Sequence, residues 1–226
     1  MRKHLSTISL VAVMLIGLSL LLYPTLSDRW NARRQSHAIV HYHESVDELD
    51  PAEAARVRAE VQAYNAQLSD GLQRFVMNDD ERAVYESLLN IDGDGIMGSL
   101  EIPAIGVSLP IYHGTGAVLQ KAVGHIEGTS LPVGGKGTHA ALSGHRGLPS
   151  ARLFTDLDRL REGDRFYIHV LDQTLAYEID CILTVLPDDM SGLGLDPQLD
   201  LCTLVTCTPY GVNSHRLLVR GRRVDG

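Results

Sequence analysis

The chain is poor in aromatic residues and carries no excess of positive charge. Phe, Trp and Tyr make up 5% of its 226 residues, and 28 acidic against 20 basic residues give a formal net charge of −8. A nucleic-acid partner is therefore not expected, because such proteins present a basic patch or stripe. Only three cysteines occur and none forms a C-x-x-C pair, so neither a zinc site nor a dithiol redox motif is indicated. We accordingly expect no metal and no cofactor.

Two of the three cysteines, Cys202 and Cys207, lie close in sequence but are not expected to form a disulfide. On one extended strand their Cα atoms would lie about 16 Å apart, whereas a disulfide needs about 7 Å or less. Their odd spacing also places the two side chains on opposite faces of the strand. Cys207 is therefore predicted to be a free thiol, either a nucleophile or a buried structural residue.

A long uncharged run at residues 5–27 follows a short basic head. A helix of about 19 residues rises about 28 Å, close to the roughly 30 Å of a bilayer core. The run exceeds the apolar region of about 7–15 residues in a cleaved signal peptide, so we predict an uncleaved anchor and keep the signal peptide as the alternative. The flanking charges disagree on orientation: Arg2 and Lys3 favour a cytoplasmic N-terminus, and the arginines at 29, 33 and 34 oppose it.

Beyond the anchor, the sequence divides into a helical region and a β-rich region. Asp50 before Pro51 is typical of a helix start, and the acidic residues that follow Asn78 favour a second one. From Ile96, short apolar runs alternate with Gly, Pro and Asp, which predicts a closed β-barrel. The predicted segments are 1–27 for the head and anchor, 28–95 for the helical region and 96–226 for the barrel. The apolar runs are 100–102, 107–112, 139–143, 165–171, 175–185, 200–207 and 215–219, with helical inserts expected at 120–123 and 151–160.

Three residues are candidates for a nucleophilic site. Cys207 needs a neighbouring cation or base, because only a few per cent of an ordinary thiol is thiolate at neutral pH. His145 follows the apolar run Ala140–Leu142 and lies between glycines, where an imidazole could face a cleft. Arg216 opens the next run and could hydrogen-bond the oxygen of a tetrahedral intermediate. Strand periodicity leaves open whether Arg216 or His215 faces the thiol; the plain alternatives are a buried cysteine, a loop histidine and a surface arginine.

Two further features compete with this assignment. His113 and His125 also lie beside glycines and are alternatives to His145. Residues 90–101 have the spacing of a calcium loop, with oxygen ligands at positions 1, 3 and 5, glycine at 6 and glutamate at 12. The residues after this segment predict a strand rather than a helix, and its glycines suit a linker turn. We therefore do not expect it to bind calcium.

Taken together, these segments resemble the sortases, and specifically the class C, pilin-polymerising branch. Thr203-Leu-Val-Thr-Cys207 is similar to the family's T-L-x-T-C signature, and the residues that follow it, through Arg216, match that branch. Leu142-Ser-Gly-His-Arg-Gly-Leu-Pro149 matches the segment that carries the family's histidine. The resemblance covers roughly residues 84–223. Further similar stretches are 96–98, 109–115 and 124–132.

The resemblance implies a mostly β fold: an eight-stranded sortase-type β-barrel with short helices, preceded by N-terminal helices and one transmembrane helix. It implies a membrane-anchored cysteine transpeptidase in which Cys207 cleaves the Thr–Gly bond of an LPxTG-type sorting signal through an acyl-thioester. His145 would act as acid and base, and Arg216 would stabilise the oxyanion or hold the substrate. A pilin lysine would resolve the thioester, so the implied partners are pilins and other surface proteins.

The resemblance also implies a single-pass membrane protein with its catalytic domain on the extracellular face. Two alternatives are kept: anchoring of surface proteins to peptidoglycan, and a catalytically silent module that binds sorting signals. The chain departs from the class C pattern in two respects. Such enzymes commonly carry an Asp-Pro-aromatic lid motif before the barrel, and no proline occurs here between Pro51 and Pro103, which puts control by such a lid in doubt. Many such enzymes also have a C-terminal membrane span, whereas here anchoring is expected to rest on the N-terminal span alone.

Overall fold

Three α-helices precede the strands in the computed structural model, which describes residues 2–225. They are α1 (Arg2–Asp47), α2 (Pro51–Gln67) and α3 (Asp79–Ser87). α2 begins where the sequence predicts, because the Asp50 carboxylate accepts a hydrogen bond from the Ala52 N–H at 2.8 Å. α3 begins with a capping box, in which the side chains of Asn78 and Glu81 each accept from the other's backbone N–H.

The first helix, α1, has two different environments along its 46 residues. Its described N-terminal part is apolar and exposed, and the helix is long and apolar enough to cross a membrane. Its C-terminal part lies on the barrel, where the side-chain amides of Asn31 and Gln35 donate to the carbonyls of Ser150 and Lys121, both at 2.7 Å. Residue 27, the predicted end of the anchor, therefore falls inside one continuous helix.

The eight strands close into a barrel in the order β1-β2-β3-β4-β7-β8-β6-β5, which confirms the predicted architecture. β2–β3 and β4–β7 pair in parallel, and the other neighbours pair antiparallel. The β4–β7 pairing brings together two strands that are separated in sequence by β5 and β6. The strands are β1 (Ile96–Ile102), β2 (Val107–His113), β3 (Val123–His125), β4 (Thr138–Ser143), β5 (Arg165–Val170), β6 (Gln173–Val185), β7 (Asp200–Thr208) and β8 (His215–Val224).

The helical insert predicted at 120–123 is wrong. A 3-10 helix occupies Ala117–Gln120, and Val123 begins β3. β3 has only three residues, too few for a strand period to be read from the sequence. The insert predicted at 151–160 contains a turn at 153–156 followed by the 3-10 helix Leu157–Arg159, and no α-helix. The other 3-10 helices are Leu72–Phe75, Pro103–Ile105, Leu157–Arg159 and Ser191–Leu193.

The alternation of β7 between core and outer face positions the candidate thiol. Cys202 and Leu204 are fully buried members of the core inside the barrel. Because side chains alternate along a strand, Thr203, Val205 and Cys207 lie on the outer face. The three cysteines are free thiols, and Cys207 is partly exposed while Cys202 is buried, as the odd spacing predicts.

Candidate active site

The antiparallel pairing of β7 with β8 places Cys207 directly opposite Arg216, and Thr208 opposite His215. Directly opposed residues have their side chains on the same face, with Cβ atoms about 4.5–5.5 Å apart. The alternative left open by the sequence is thereby resolved: Arg216, and not His215, is the cross-strand neighbour of the thiol. Both Cys207 and Arg216 are partly exposed, so a substrate can reach them.

The parallel pairing of β4 with β7 brings His145 to the same place. The last paired residues are Ser143 and Val205, and the Gly144 N–H then donates to the Val205 carbonyl at 3.1 Å. Extending this register two residues beyond the end of β4 gives His145 as the neighbour of Cys207. The three candidates therefore lie at the same end of three adjacent strands, with His145 in the loop that follows β4 and the other two on β7 and β8.

The loop that carries His145 is held by contacts on both sides of the histidine. The Thr206 hydroxyl donates to the Gly144 carbonyl at 2.7 Å, and the Phe154 N–H donates to the His145 carbonyl at 3.1 Å. A Cβ on Gly144 would lie 2.7 Å from the Phe154 ring, so the loop has no room for a larger residue there. The backbone of His145 is thus fixed relative to the strand that carries the thiol.

Arg146 connects the same loop to the end of β7, a role that the sequence does not indicate. Its guanidinium forms an ion pair with Asp158 and lies 5.8 Å from the centre of the Tyr210 ring. Its Nη1 is 3.4 Å from the Thr208 hydroxyl, a long contact. The only available signal was its place next to His145 between two glycines.

Arg216 is held by the loop between β7 and β8. Its Nη1 donates to the His215 carbonyl at 3.2 Å and lies 3.5 Å from the Asn213 carbonyl. The imidazole of His215 lies 2.9 Å, through Nδ1, from the Ser214 hydroxyl. His215 therefore contacts the β7–β8 loop, and its side chain does not lie on the strand face that carries the thiol.

The two competing histidines are enclosed in the structure. His125 is fully buried, its Nδ1 lies 3.0 Å from the Tyr85 hydroxyl, and burial lowers its pKa to about 4. His113 lies with Nδ1 3.0 Å from the Gly95 carbonyl and Nε2 2.7 Å from the Leu88 carbonyl. Both imidazoles join α3 and its following turn to the barrel, so neither faces the thiol.

The segment 90–101 does not fold as a calcium-binding loop. The side-chain oxygens of Asn90 and Asp94 accept hydrogen bonds from the N–H groups of Gly95 and Ile96, each at 2.9 Å. Glu101, which would supply the last ligand, lies on β1 and interacts with a histidine of β5. The segment is a turn that leads into the first strand.

One group of side chains could hold a metal ion by geometry. Single ligand atoms of His41, Asp92 and Asp94 lie within 4.8 Å of one another, and all three residues are exposed. Asp92 and Asp94 are positions 3 and 5 of the calcium-loop spacing, but no sequence pattern indicates that His41, which lies on α1 far along the chain, is their neighbour. His41 Nδ1 is 3.4 Å from Asp92, so the pair also serves as an ion pair between α1 and the barrel when the histidine is protonated.

Comparisons with known proteins show the family to which the chain belongs. A family model described as the sortase domain matches residues 100–224. The structure of sortase C1 from Streptococcus agalactiae is similar, with 47% identity and a TM-score of 0.80, over 84% of this chain and 99% of that one. Sortase C from Streptococcus pneumoniae is 41% identical, with a TM-score of 0.75, over 84% of this chain and 97% of that one.

A curated relative, sortase D from Bacillus subtilis strain 168, is 34% identical over 131 residues, which are 56% of this chain and 63% of that protein. The chain thus spans about three fifths of the length of the first curated relatives that it matches. The region that matches the family model contains β7 and β8, which carry Cys207 and Arg216, and β4, which ends two residues before His145.

Proposed function

Since the chain belongs to the sortase family, on its class C branch, we propose that it is a membrane-anchored cysteine transpeptidase acting on LPxTG-type sorting signals. The observation that carries the proposal is the pairing of Cys207 with Arg216 across β7 and β8, with His145 two residues beyond the end of the neighbouring strand β4. A thiol, an imidazole and a guanidinium on one exposed strand end can perform acyl transfer without a metal or a cofactor.

In the proposed first step, the Cys207 thiolate attacks the threonine carbonyl of the Thr–Gly bond. Arg216 donates hydrogen bonds to the oxyanion of the tetrahedral intermediate. The C–N bond then breaks, His145 as imidazolium gives its proton to the leaving glycine nitrogen, and an acyl-thioester remains on Cys207. His145 is then neutral and ready to act as a base.

In the second step, an amine of the acceptor protein attacks the thioester. His145 takes the proton from the attacking nitrogen, the C–S bond breaks, and the thiolate–imidazolium pair is restored. We propose a lysine of a pilin subunit as the acceptor. This is supported by the similarity to sortase C of Streptococcus pneumoniae, whose structure is described in terms of pilin substrate specificity.

We further propose that α1 holds the enzyme in the cell membrane with the barrel on the extracellular face. The apolar, exposed part of α1 is long enough to span a bilayer. Its continuation packs directly on the barrel, through Asn31 and Gln35. The site is therefore held at a fixed orientation to the anchor helix, close to the membrane where a newly exported surface protein would emerge.

The experiment is ligation by the full-length chain in detergent micelles. Wild type, given an LPxTG-type peptide and a pilin that carries its acceptor lysine, should form a covalent peptide–pilin product. Cys207→Ala should form none. Cys181→Ser, which removes a partly exposed thiol on β6, should ligate as wild type does.

The same reaction separates the alternatives. A product formed with a peptidoglycan amine in place of the pilin lysine would favour anchoring of single surface proteins. Peptide binding without any product or adduct would favour a silent binding module. Product made by Cys207→Ala would contradict the proposal outright.

A further inference from the structure

His139 is a buried histidine that the proposed acyl transfer does not use. It lies on β4 with 1% of its surface exposed, and both ring nitrogens have partners. Nδ1 lies 2.8 Å from the Gly194 carbonyl, and Nε2 lies 2.7 Å from the Thr203 hydroxyl. Because a carbonyl only accepts, Nδ1 carries the proton and donates to Gly194, while Nε2 accepts from Thr203. Burial lowers the pKa of His139 to about 4, which preserves this neutral tautomer at neutral pH.

The carbonyl that His139 binds belongs to the β6–β7 loop, defined here as residues 186–199. This loop rests directly on the outer face of the barrel, since a Cβ on Gly192 would lie 2.6 Å from Leu218 Cδ1. The neighbouring Leu193 carbonyl accepts a hydrogen bond from Arg74 Nη2 at 2.5 Å. Through the Gly194 carbonyl, the loop is hydrogen-bonded to His139, a side chain of strand β4.

The outer face of the barrel beneath the β6–β7 loop is the same face that carries the Cys207 thiol. On β7, Thr203, Val205 and Cys207 follow one another on the outer side. Leu218 of β8 pairs with Val205, and Leu183 of β6 pairs with Leu218 and is 41% exposed. Val205 and Leu218 are buried beneath the β6–β7 loop, and Leu183 is exposed at its edge. The three side chains form an apolar floor, and the loop covers part of it. The leucine and proline of an LPxTG-type signal need apolar contact of this kind.

We propose that His139 is a positioning residue that sets the height of the β6–β7 loop above this floor and thereby controls binding of the sorting signal. The inference rests on the proposed function, because it concerns the substrate of the same site. His139 does not touch the reacting atoms and acts only through the Gly194 carbonyl. Loss of that hydrogen bond frees the loop and weakens substrate binding, while the chemistry at Cys207 continues.

Two amide variants separate the two contacts of the ring. His139→Asn places an amide nitrogen where Nδ1 stands, so it keeps the donor for Gly194 and loses the contact with Thr203. His139→Gln places its amide near Nε2, so it keeps Thr203 and loses Gly194. A role confined to packing predicts that both variants behave alike, whereas the positioning role predicts that they differ.

The test is steady-state cleavage of a fluorogenic LPxTG-type peptide by the full-length chain in micelles. Loss of one buried hydrogen bond corresponds to roughly a tenfold change, so His139→Gln should raise KM about tenfold with kcat within about threefold. His139→Asn should retain the wild-type KM within about twofold. The rate of Cys207 alkylation by iodoacetamide, which needs no loop, should be the same in all three proteins.

The matched control is His125→Asn, which alters another buried imidazole that makes no contact with the β6–β7 loop. It should lower the melting temperature and leave KM unchanged. If wild type cleaves the peptide and His139→Gln keeps the wild-type KM, or if Asn and Gln raise KM equally, this inference alone is overturned. A wild type that cleaves no sorting peptide would overturn the proposed function, and this inference with it.

Discussion

The hydroxyl of Thr206 joins the strand that carries the thiol to the loop that carries the imidazole. Thr206 is 1% exposed, and its hydroxyl donates to the buried Gly144 carbonyl at 2.7 Å. Thr206→Val keeps the shape of the side chain and leaves that carbonyl without its donor, which costs about 1–3 kcal/mol. For a protein of this size, a loss of about 2 kcal/mol lowers the melting temperature by about 4–8 °C.

The same change should also slow the reaction. Gly144 directly precedes His145, so release of its carbonyl lets the imidazole move relative to Cys207. Because misplacement by about 1 Å can cost about 100-fold in rate, Thr206→Val should lower kcat by about 10- to 100-fold with KM within about twofold. Thr206→Ser, which keeps the hydroxyl, should recover most of the rate. The assay is peptide cleavage at saturating substrate, with thermal unfolding of the same samples.

A matched control shows whether the rate effect is specific. Thr129 is also buried; its hydroxyl donates to the Ile126 carbonyl at 2.7 Å and accepts from the Ala141 N–H of β4 at 3.1 Å. Thr129→Val should lower the melting temperature at least as much as Thr206→Val and leave kcat unchanged. The reasoning is refuted if Thr206→Val loses stability as Thr129→Val does but keeps the wild-type kcat.

Two further predictions concern stability. Gly128→Ala should lower the melting temperature much more than Gly93→Ala does. Both glycines have positive φ, but only at Gly128 would an added Cβ clash with backbone, 2.2 Å from the Arg74 carbonyl oxygen. Equal decreases in melting temperature would contradict this close packing. The free energy of unfolding should fall as pH drops from 6.5 towards 4, because His125 and His139 have pKa values lowered from 6.5 to about 4 by burial and take up protons only on unfolding. Each histidine accounts for a decrease in the free energy of unfolding on the order of 3 kcal/mol. Urea titrations of His125→Asn should show a flatter dependence of this free energy on pH, and an unchanged slope would argue against a neutral buried imidazole.

Much of the site follows from local sequence rules. Strand periodicity and the length of one turn suffice to bring either Arg216 or His215 beside Cys207, and the odd spacing predicts that Cys202 and Cys207 lie on opposite faces. The position of His145 does not follow in the same way. It depends on the parallel pairing of β4 with β7, and no local pattern says that two strands separated by two others will be neighbours. Only the resemblance of whole motifs associated His145 with Cys207.

Contacts between distant segments were the least predictable part. β3 is too short to show a period, and the ring contacts of His139 join β4, β7 and the β6–β7 loop. A lone histidine on an apolar strand carries no sign of its partners in the sequence. The same holds for the exposed group of His41, Asp92 and Asp94, which exists only because α1 packs on the barrel.

The most direct test of the account is the intact mass of the full-length chain after brief incubation with an LPxTG-type peptide. The account predicts an increase equal to the acyl part of the cleaved peptide, located on Cys207 by peptide mapping and abolished by hydroxylamine, which cleaves thioesters. Absence of any adduct despite peptide cleavage, or an adduct that persists in Cys207→Ala, would contradict the assignment of Cys207 as the nucleophile.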